Sequence, residues 1–285
     1  MMLPFDPEAY TAESIQAWNA VASPYDKLSA SLFGPTAEAF VDFAGVRRGW
    51  RVLDVACGPG LASRAAARRA GEKGAVLAVD LAPEMLARAA SHLAGARAAA
   101  VEVRAMNAEK LDLADRYFDA VICELGLMLF AKPREALEEM RRVAKPGAPV
   151  ACLVHGRRTS MLFIALVMDA IVQRAPHLRA QAGAPGLFAF GPDGRLEESF
   201  AQAGLTEIVT RRLAGVFRFP SAEEYWKTMT EGAGRTGAML RSLPAEMQSR
   251  IKADVTRRAA KRRVGRLVEI PYEFAMARGL APALG

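Results

Sequence analysis

Arg51-Val52-Leu53-Asp54-Val55-Ala56-Cys57-Gly58-Pro59-Gly60 is the stretch on which the fold turns. Val52, Leu53 and Val55 make the short apolar run of a strand buried on both faces, and the run stops in Gly-Pro-Gly. From Leu61 to Arg69 there is no Gly or Pro, Ala is frequent, and Arg gathers at the far end, where it complements the negative end of a helix dipole. Strand, glycine turn and helix form a unit in which Gly58 and Gly60 carry no side chain to hold a ligand off the backbone.

Downstream the pattern repeats. Ala75 to Asp80 reads as a second buried strand, followed by a helix from Pro83 to about His92, with Pro suited to the first turn. Ala99 to Ala105 is a third strand and Tyr117 to Cys123 a fourth. A helix over Pro133 to Val143 and a Lys-Pro-Gly turn lead to a fifth strand, Pro149 to His155. This alternation predicts an α/β fold, Rossmann-like and doubly wound, with a mostly parallel seven-stranded sheet and an antiparallel last strand.

Upstream, residues 1–47 read as an N-terminal helical cap: Glu13 to Ala22 is amphipathic, Pro24 breaks it, and Pro35 opens a second helix running to Val46. The main domain, residues 48–285, carries two expected insertions, at about 157–192 and 214–263. Around them fall a helix from Arg195 to Ala203, a strand from Glu207 to Leu213, helices near Ser221 to Thr230 and Pro244 to Arg263, and a last strand from Leu267 to Ala277.

A length of 285 residues with 52% hydrophobic content is ample for one large core. Cys57, Cys123 and Cys152 lie far apart in apolar runs, which argues against a disulfide framework or a zinc cluster and for reduced thiols in a cytoplasmic protein with no metal. The start, Met-Met-Leu-Pro-Phe-Asp-Pro-Glu, has neither the basic residues nor the apolar stretch of a secretory signal. The run Met161-Leu162-Phe163-Ile164-Ala165-Leu166-Val167-Met168 is far short of a transmembrane segment. The formal charge of +7 owes much to Arg257-Arg258-Ala259-Ala260-Lys261-Arg262-Arg263. No aromatic residue interleaves this cluster, so a solvated helix face is favoured over nucleic-acid binding.

Asp80 closes the second strand twenty residues after Gly60, the spacing at which a carboxylate reaches ribose hydroxyls in nucleotide-binding units. Ser63 stands where a dinucleotide site needs its third small residue, and Pro59 stiffens the turn, so an adenosine ligand without a diphosphate fits better. Asp54 can accept from an ammonium, directly or through water. S-adenosylmethionine has such a tail.

Val-Leu-Asp-Val-Ala-Cys-Gly-Pro-Gly and Ala-Val-Asp-Leu-Ala-Pro-Glu-Met-Leu are followed by Asn107-Ala108-Glu109-Lys110-Leu111 and Met140-Arg141-Arg142-Val143-Ala144-Lys145-Pro146-Gly147. Upstream stands Trp18-Asn19-x-Val21-Ala22-x-x-Tyr25-Asp26. With these motifs in order over residues 18–155, the chain resembles the class I S-adenosylmethionine-dependent methyltransferases, in particular the type 11 group that includes the ubiquinone and menaquinone C-methyltransferases. The resemblance implies that Ala56, Gly58 and Gly60 line the methionine part of S-adenosylmethionine and of its product S-adenosyl-L-homocysteine. Asp80 would hold the ribose and Leu81 pack on adenine, with Asn107 facing the adenine amino group and the Ala108 amide donating to the ring. Asn107 departs from the usual Asp of the family, but its amide oxygen still accepts.

Glu124, less usual for the family, has three readings: a partner of the cofactor's ammonium, a group facing the acceptor, or a rim carboxylate paired to Arg. His155, at the end of the fifth strand, is a candidate general base or a hydrogen-bonded rim histidine. His92 and His177 read as peripheral. Tyr25 closes over the cofactor, orients the acceptor, or simply packs.

Glu124-Leu125-Gly126-Leu127 replaces the Asp/Asn-Pro-Pro-aromatic turn of nucleobase amine methyltransferases and disfavours that chemistry. The run Met161 to Met168 and Leu187-Phe188-Ala189-Phe190 either wall an apolar pocket or pack as core. The leading expectation is a small-molecule acceptor, aromatic, quinone-like or polyketide-like, methylated on O or C. Methylation of RNA or protein and a non-catalytic cofactor-binding protein stand as alternatives. No residue pattern specifies an oligomeric state.

Overall fold

The computed structural model describes residues 5–94, 98–178, 183–232 and 234–283, so the first four residues of the N-terminal stretch read above lie outside the described residues. Two helices, α1 (Pro7–Leu32) and α2 (Gly34–Ala44), precede the alternation β1 (Arg51–Val55), α3 (Leu61–Ala70), β2 (Ala75–Asp80), α4 (Pro83–Leu93), β3 (Ala100–Ala105), β4 (Ala120–Glu124), α5 (Pro133–Val143) and β5 (Pro149–His155). Next come α6 (Leu162–Arg174), α7 (Arg195–Gln202), β6 (Thr206–Phe219), α8 (Ala222–Gly232), α9 (Gly234–Arg241) and α10 (Ala245–Ala260). The short β7 (Arg263–Val264) and the long β8 (Leu267–Leu280) complete the chain.

The strands lie in the order β3-β2-β1-β4-β5-β8-β6, with β7 paired on β8 as a short ribbon. β1 to β5 run parallel, and β8 enters between β5 and β6 antiparallel to both. The sheet is thus Rossmann-like, mostly parallel, with an antiparallel last strand. Because β1 pairs with both β2 and β4, the winding reverses there, and the crevice at the carboxyl ends of β1 and β4 is where an open α/β sheet accepts a ligand. Both exits are tightly folded: Ala56 (φ 56°) follows β1 and Leu125 (φ 59°) follows β4, each in the left-handed region. Gly126 lets them approach, since a Cβ there would lie 2.6 Å from Ala56 Cβ and 2.8 Å from Cys123 Sγ.

Three expectations are corrected. Pro24 does not break the first helix: α1 runs through it for 26 residues, capped by Asp6, whose Oδ1 accepts from the Glu8 and Ala9 amides. An interior proline costs about 3 kcal/mol, and here packing of α1 on α4, α8 and α9 offsets it. β6 continues past Leu213 to Phe219, so residues 214–219, assigned above to the second insertion, belong to the sheet. Gly215 stays in the strand because the Tyr272 ring covers it; a Cβ there would fall 2.5 Å from the Tyr272 hydroxyl. β4 begins at Ala120, not Tyr117: the Tyr117 and Phe118 amides both turn to the Val143 carbonyl, and Tyr117 remains half exposed under the Arg51 guanidinium.

Apolar side chains fill both faces of the sheet, α2, α3 and α6 on one side and α5 and α7 on the other. The apolar run from Met161 enters this core through α6, where Phe163 meets Phe33, Phe217 and Tyr225. The fully buried Tyr225 hydroxyl donates to the Phe163 carbonyl at 2.8 Å, joining α8 to α6. Among the described residues no helix is long and apolar enough to cross a membrane.

Candidate active site

A cleft with about 840 Å³ of free space, its mouth included, runs along the carboxyl ends of β1, β2 and β4 beneath α1. Tyr25, Ala56, Gly58, Asp80, Leu81, Asn107, Ala108 and Glu124 all line it, so eight residues spread over 100 positions of sequence meet in one place. Asp80 organises the floor. Its Oδ2 accepts from the Gly58 amide and its Oδ1 from the Ala82 amide, both at 2.9 Å, fixing the glycine loop against the end of β2. Burial pushes its carboxyl upward and these amides pull it back. Asn107 Oδ1 accepts from the Glu109 amide at 2.9 Å, a local turn that fixes the wall opposite.

Two expected residues stand behind the cleft. Gly60, at the start of α3 with φ 89°, serves packing: a Cβ would lie 3.1 Å from Leu93 Cδ1 and 3.4 Å from the Ala89 backbone on α4. Asp54 is fully buried under the loop, and Ser63 donates to its Oδ2 at 2.5 Å. Ser63, read above only as a substitute for a small residue, therefore holds this carboxylate in place.

Asp54 Oδ1 and Glu124 Oε1 are buried without a hydrogen-bond partner. Burial pushes Asp54 up to about 7 and Glu124 up to about 8, and for Glu124 the charge of Asp54 adds to the effect. No Arg pairs with Glu124 among the described residues, which removes its reading as an ion-paired rim carboxylate. The Tyr25 hydroxyl is pushed well above its ordinary value, first by burial and then by Glu124 and Asp80, so it remains a neutral donor in an acidic corner.

Two further cavities adjoin the cleft. One, about 310 Å³ with open solvent included, lies between Gly58, Leu61, Ser29 and Glu124. The other, about 510 Å³ with open solvent included, is a chamber walled by Leu28, Phe33, Met128, Phe163, Ile164 and Leu187, with His155 in its lining. Tyr25 and Leu125 line all three spaces. Trp18, edge-on to Tyr25 at 5.1 Å between ring centroids, lines both the cleft and the chamber.

His155 is buried between Phe188 and Phe274, with ring centroids 6.0 and 6.1 Å away, and its Nδ1 has no partner. Burial lowers it to about 4, against a smaller opposing effect of a backbone hydrogen bond with Leu187. The ring is neutral near pH 7. Burial therefore makes this ring a weaker base than an exposed imidazole, which counts against a general base and leaves its unpartnered Nδ1 as an acceptor.

His92 is the residue that sequence reading missed. From α4 its Nδ1 lies 3.0 Å from the Pro59 carbonyl oxygen and its Nε2 3.3 Å from Asp26 Oδ2, so it ties the glycine loop to α1. Nothing in the local pattern of α4 marks a contact that spans 66 positions. His177 lines none of the three cavities.

Residues 52–147 match a methyltransferase domain family. The ubiquinone/menaquinone biosynthesis C-methyltransferase UbiE of Azotobacter vinelandii is 31% identical over 235 residues, 80% of this chain and 84% of that protein. Among solved structures, the YcgJ protein of Bacillus subtilis superposes with a TM-score of 0.59 at 17% identity, covering 87% of this chain and 98% of its own. Phosphoethanolamine N-methyltransferase 2 of Haemonchus contortus, solved with phosphomonomethylethanolamine and S-adenosylhomocysteine, gives a TM-score of 0.58 at 17% identity, covering 93% of this chain and 58% of its own. These two share the fold.

Proposed function

The chain belongs to the S-adenosylmethionine-dependent methyltransferases, and from that premise we propose that it methylates, on O or C, a small ring-bearing apolar acceptor held in the chamber beside His155. One observation carries this reading: Tyr25 and Leu125 line the cleft, the small cavity and the chamber alike, so cofactor and acceptor meet at a shared wall.

The residues present fit the cofactor. Gly58, with φ 52° and open space where a Cβ would stand, offers bare backbone to the methionine part. The unpartnered oxygen of Glu124, which lines the cleft, supplies an acceptor for its ammonium, and Asp54 adds its charge from behind the glycine loop. Asp80 would hold the ribose, Leu81 and Ala108 the adenine, and Asn107 the adenine amino group. When bound, S-adenosylmethionine supplies a methyl group whose bond to sulfur breaks with its electron pair returning to sulfur.

The chain's own contribution is positioning in a dry site. Phe33, Phe163 and Leu187 exclude water and hold the ring flat, while Tyr25 and Leu125 set the distance between the two ligands. His155 Nδ1 accepts from a hydroxyl of the acceptor and orients it, and the acceptor's proton is lost to bulk solvent once the product leaves the water-excluding chamber. We place the protein in a reducing, cytoplasmic setting as part of this reading, with Cys57, Cys123 and Cys152 buried as free thiols. RNA and protein acceptors find less support, since the basic residues 257–263 line neither cleft nor chamber.

The deciding experiment incubates the protein with S-adenosylmethionine and a panel of phenols, hydroxyquinones and polyketide-like rings, measuring S-adenosylhomocysteine release. Turnover with an apolar ring acceptor is expected. Cofactor binding with no turnover on any of them, or turnover on RNA or protein instead, refutes the proposal.

A further inference from the structure

β7 and β8 form a hairpin whose tip is Arg263-Val264-Gly265-Arg266-Leu267, turned by Gly265 at φ 60°. Val264 and Leu267 are direct cross-strand partners, so their side chains stand together on one face. Val264 is 59% and Leu267 37% exposed, two of the four large hydrophobic residues that face solvent among the described residues. Around them Lys261, Arg262, Arg263 and Arg266 make no ion pair among the described residues. The neighbouring Arg257 and Arg258 are instead engaged by Asp254 and Asp169.

Next to the tip opens a groove of about 690 Å³, solvent space included, between Leu162 and Leu166 of α6 and the cationic side chains of Arg258, Lys261 and Arg262. An aliphatic floor beneath a cationic rim, beside an exposed aliphatic pair ringed by unpaired cations, matches the layered chemistry of a bilayer interface. Acyl carbon lies below there and anionic headgroups above.

We propose that the β7–β8 tip and the adjoining groove dock on the surface of an anionic phospholipid bilayer, with Val264 and Leu267 entering the interface and Lys261, Arg262, Arg263 and Arg266 meeting the headgroups. RNA fits less well: the residues exposed between the cations are aliphatic, with no ring to stack on bases. The placement joins surface to site, because Phe163 and Ile164 on the same helix line the chamber beside His155. The docking itself does not depend on the acceptor assigned above.

Sedimentation of the full chain with vesicles tests it, comparing phosphatidylglycerol/phosphatidylcholine mixtures with phosphatidylcholine alone at low and high salt. Binding to the anionic vesicles only, falling steeply with salt, is expected. Arg263→Glu/Arg266→Glu should weaken partitioning by roughly fivefold or more per cation, and Val264→Asp/Leu267→Asp by at least about tenfold, with S-adenosylmethionine binding unchanged in calorimetry. Should either double variant fold poorly, Val264→Cys carrying an environment-sensitive fluorophore gives an independent reading, since the native cysteines are buried. Its emission should shift to the blue on anionic vesicles. No anionic-vesicle binding, equal binding to neutral vesicles, full binding by both double variants, an unshifted label, or salt-sensitive retention by RNA with none on vesicles overturns the proposal.

Discussion

His92 ties Asp26 to the glycine loop: the imidazole spans from the Pro59 carbonyl to the Asp26 carboxylate, so glycine loop and cap helix share one side chain. A carbonyl oxygen can only accept, which assigns a proton to Nδ1, and the second bond faces a carboxylate that is itself buried. His92→Ala should raise the dissociation constant for S-adenosylmethionine by about tenfold, roughly 1.4 kcal/mol, chiefly through faster release. Stopped-flow displacement measures this, and an unchanged off-rate would show that the contact does not hold the cap.

Asp54 and Glu124 give the ligand-free protein a pH dependence with a definite sign. Their folded values, about 7 and about 8, lie above those of an unfolded chain. Between about pH 4 and 8 the fold therefore retains protons that the unfolded chain has lost, and stability falls as pH rises. Thermal melts at pH 5 to 8.5 should show Tm dropping through this window. A cationic cofactor favours the ionised carboxyls, so its affinity should rise across the same range. Glu124→Gln should flatten the upper part of both curves.

Asp80→Ala removes the acceptor for two loop amides as well as the expected ribose contact. Loss of cofactor affinity by about a hundredfold or more is expected in calorimetry, with Tm lowered by a stability loss of roughly 1–3 kcal/mol. An unchanged affinity would displace the ribose from β2.

His155→Phe separates positioning from base catalysis. Cofactor affinity should stay as it is and the acceptor KM should rise severalfold, while kcat and its pH profile move little. A collapse of kcat with unchanged KM would restore the general base.

Gly126→Ala places a methyl group against Ala56 Cβ and Cys123 Sγ. Overpacking of this kind costs about 1–3 kcal/mol. Denaturant unfolding should show that loss together with weakened cofactor binding, since Ala56 and Leu125 both line the cleft.

The parallel half of the sheet was legible because buried strands such as β1 and β2 are short, mainly apolar runs that stop at the glycine turn and at Asp80. Elements that depend on partners elsewhere were not. Pro24 looks like a stop until α4, α8 and α9 are seen around it, and Gly215 looks like one until Tyr272 covers it. α9 was invisible, with Gly234 and Gly237 in eight residues; Gly234 is there because a Cβ would strike the Trp18 ring at 2.4 Å. In the site, residues adjoining strand ends were readable from spacing. The protonation of His155 was not, because Phe188 and Phe274 come from distant segments.

Trp18 and Tyr25 stand at the junction of cleft and chamber and border both. On the proposed assignment, an occupant of either space touches the same two rings, so the two occupants should bind as neighbours. Turnover should therefore pass through a complex holding both, and reciprocal plots of initial rate at fixed levels of the co-substrate should intersect instead of running parallel.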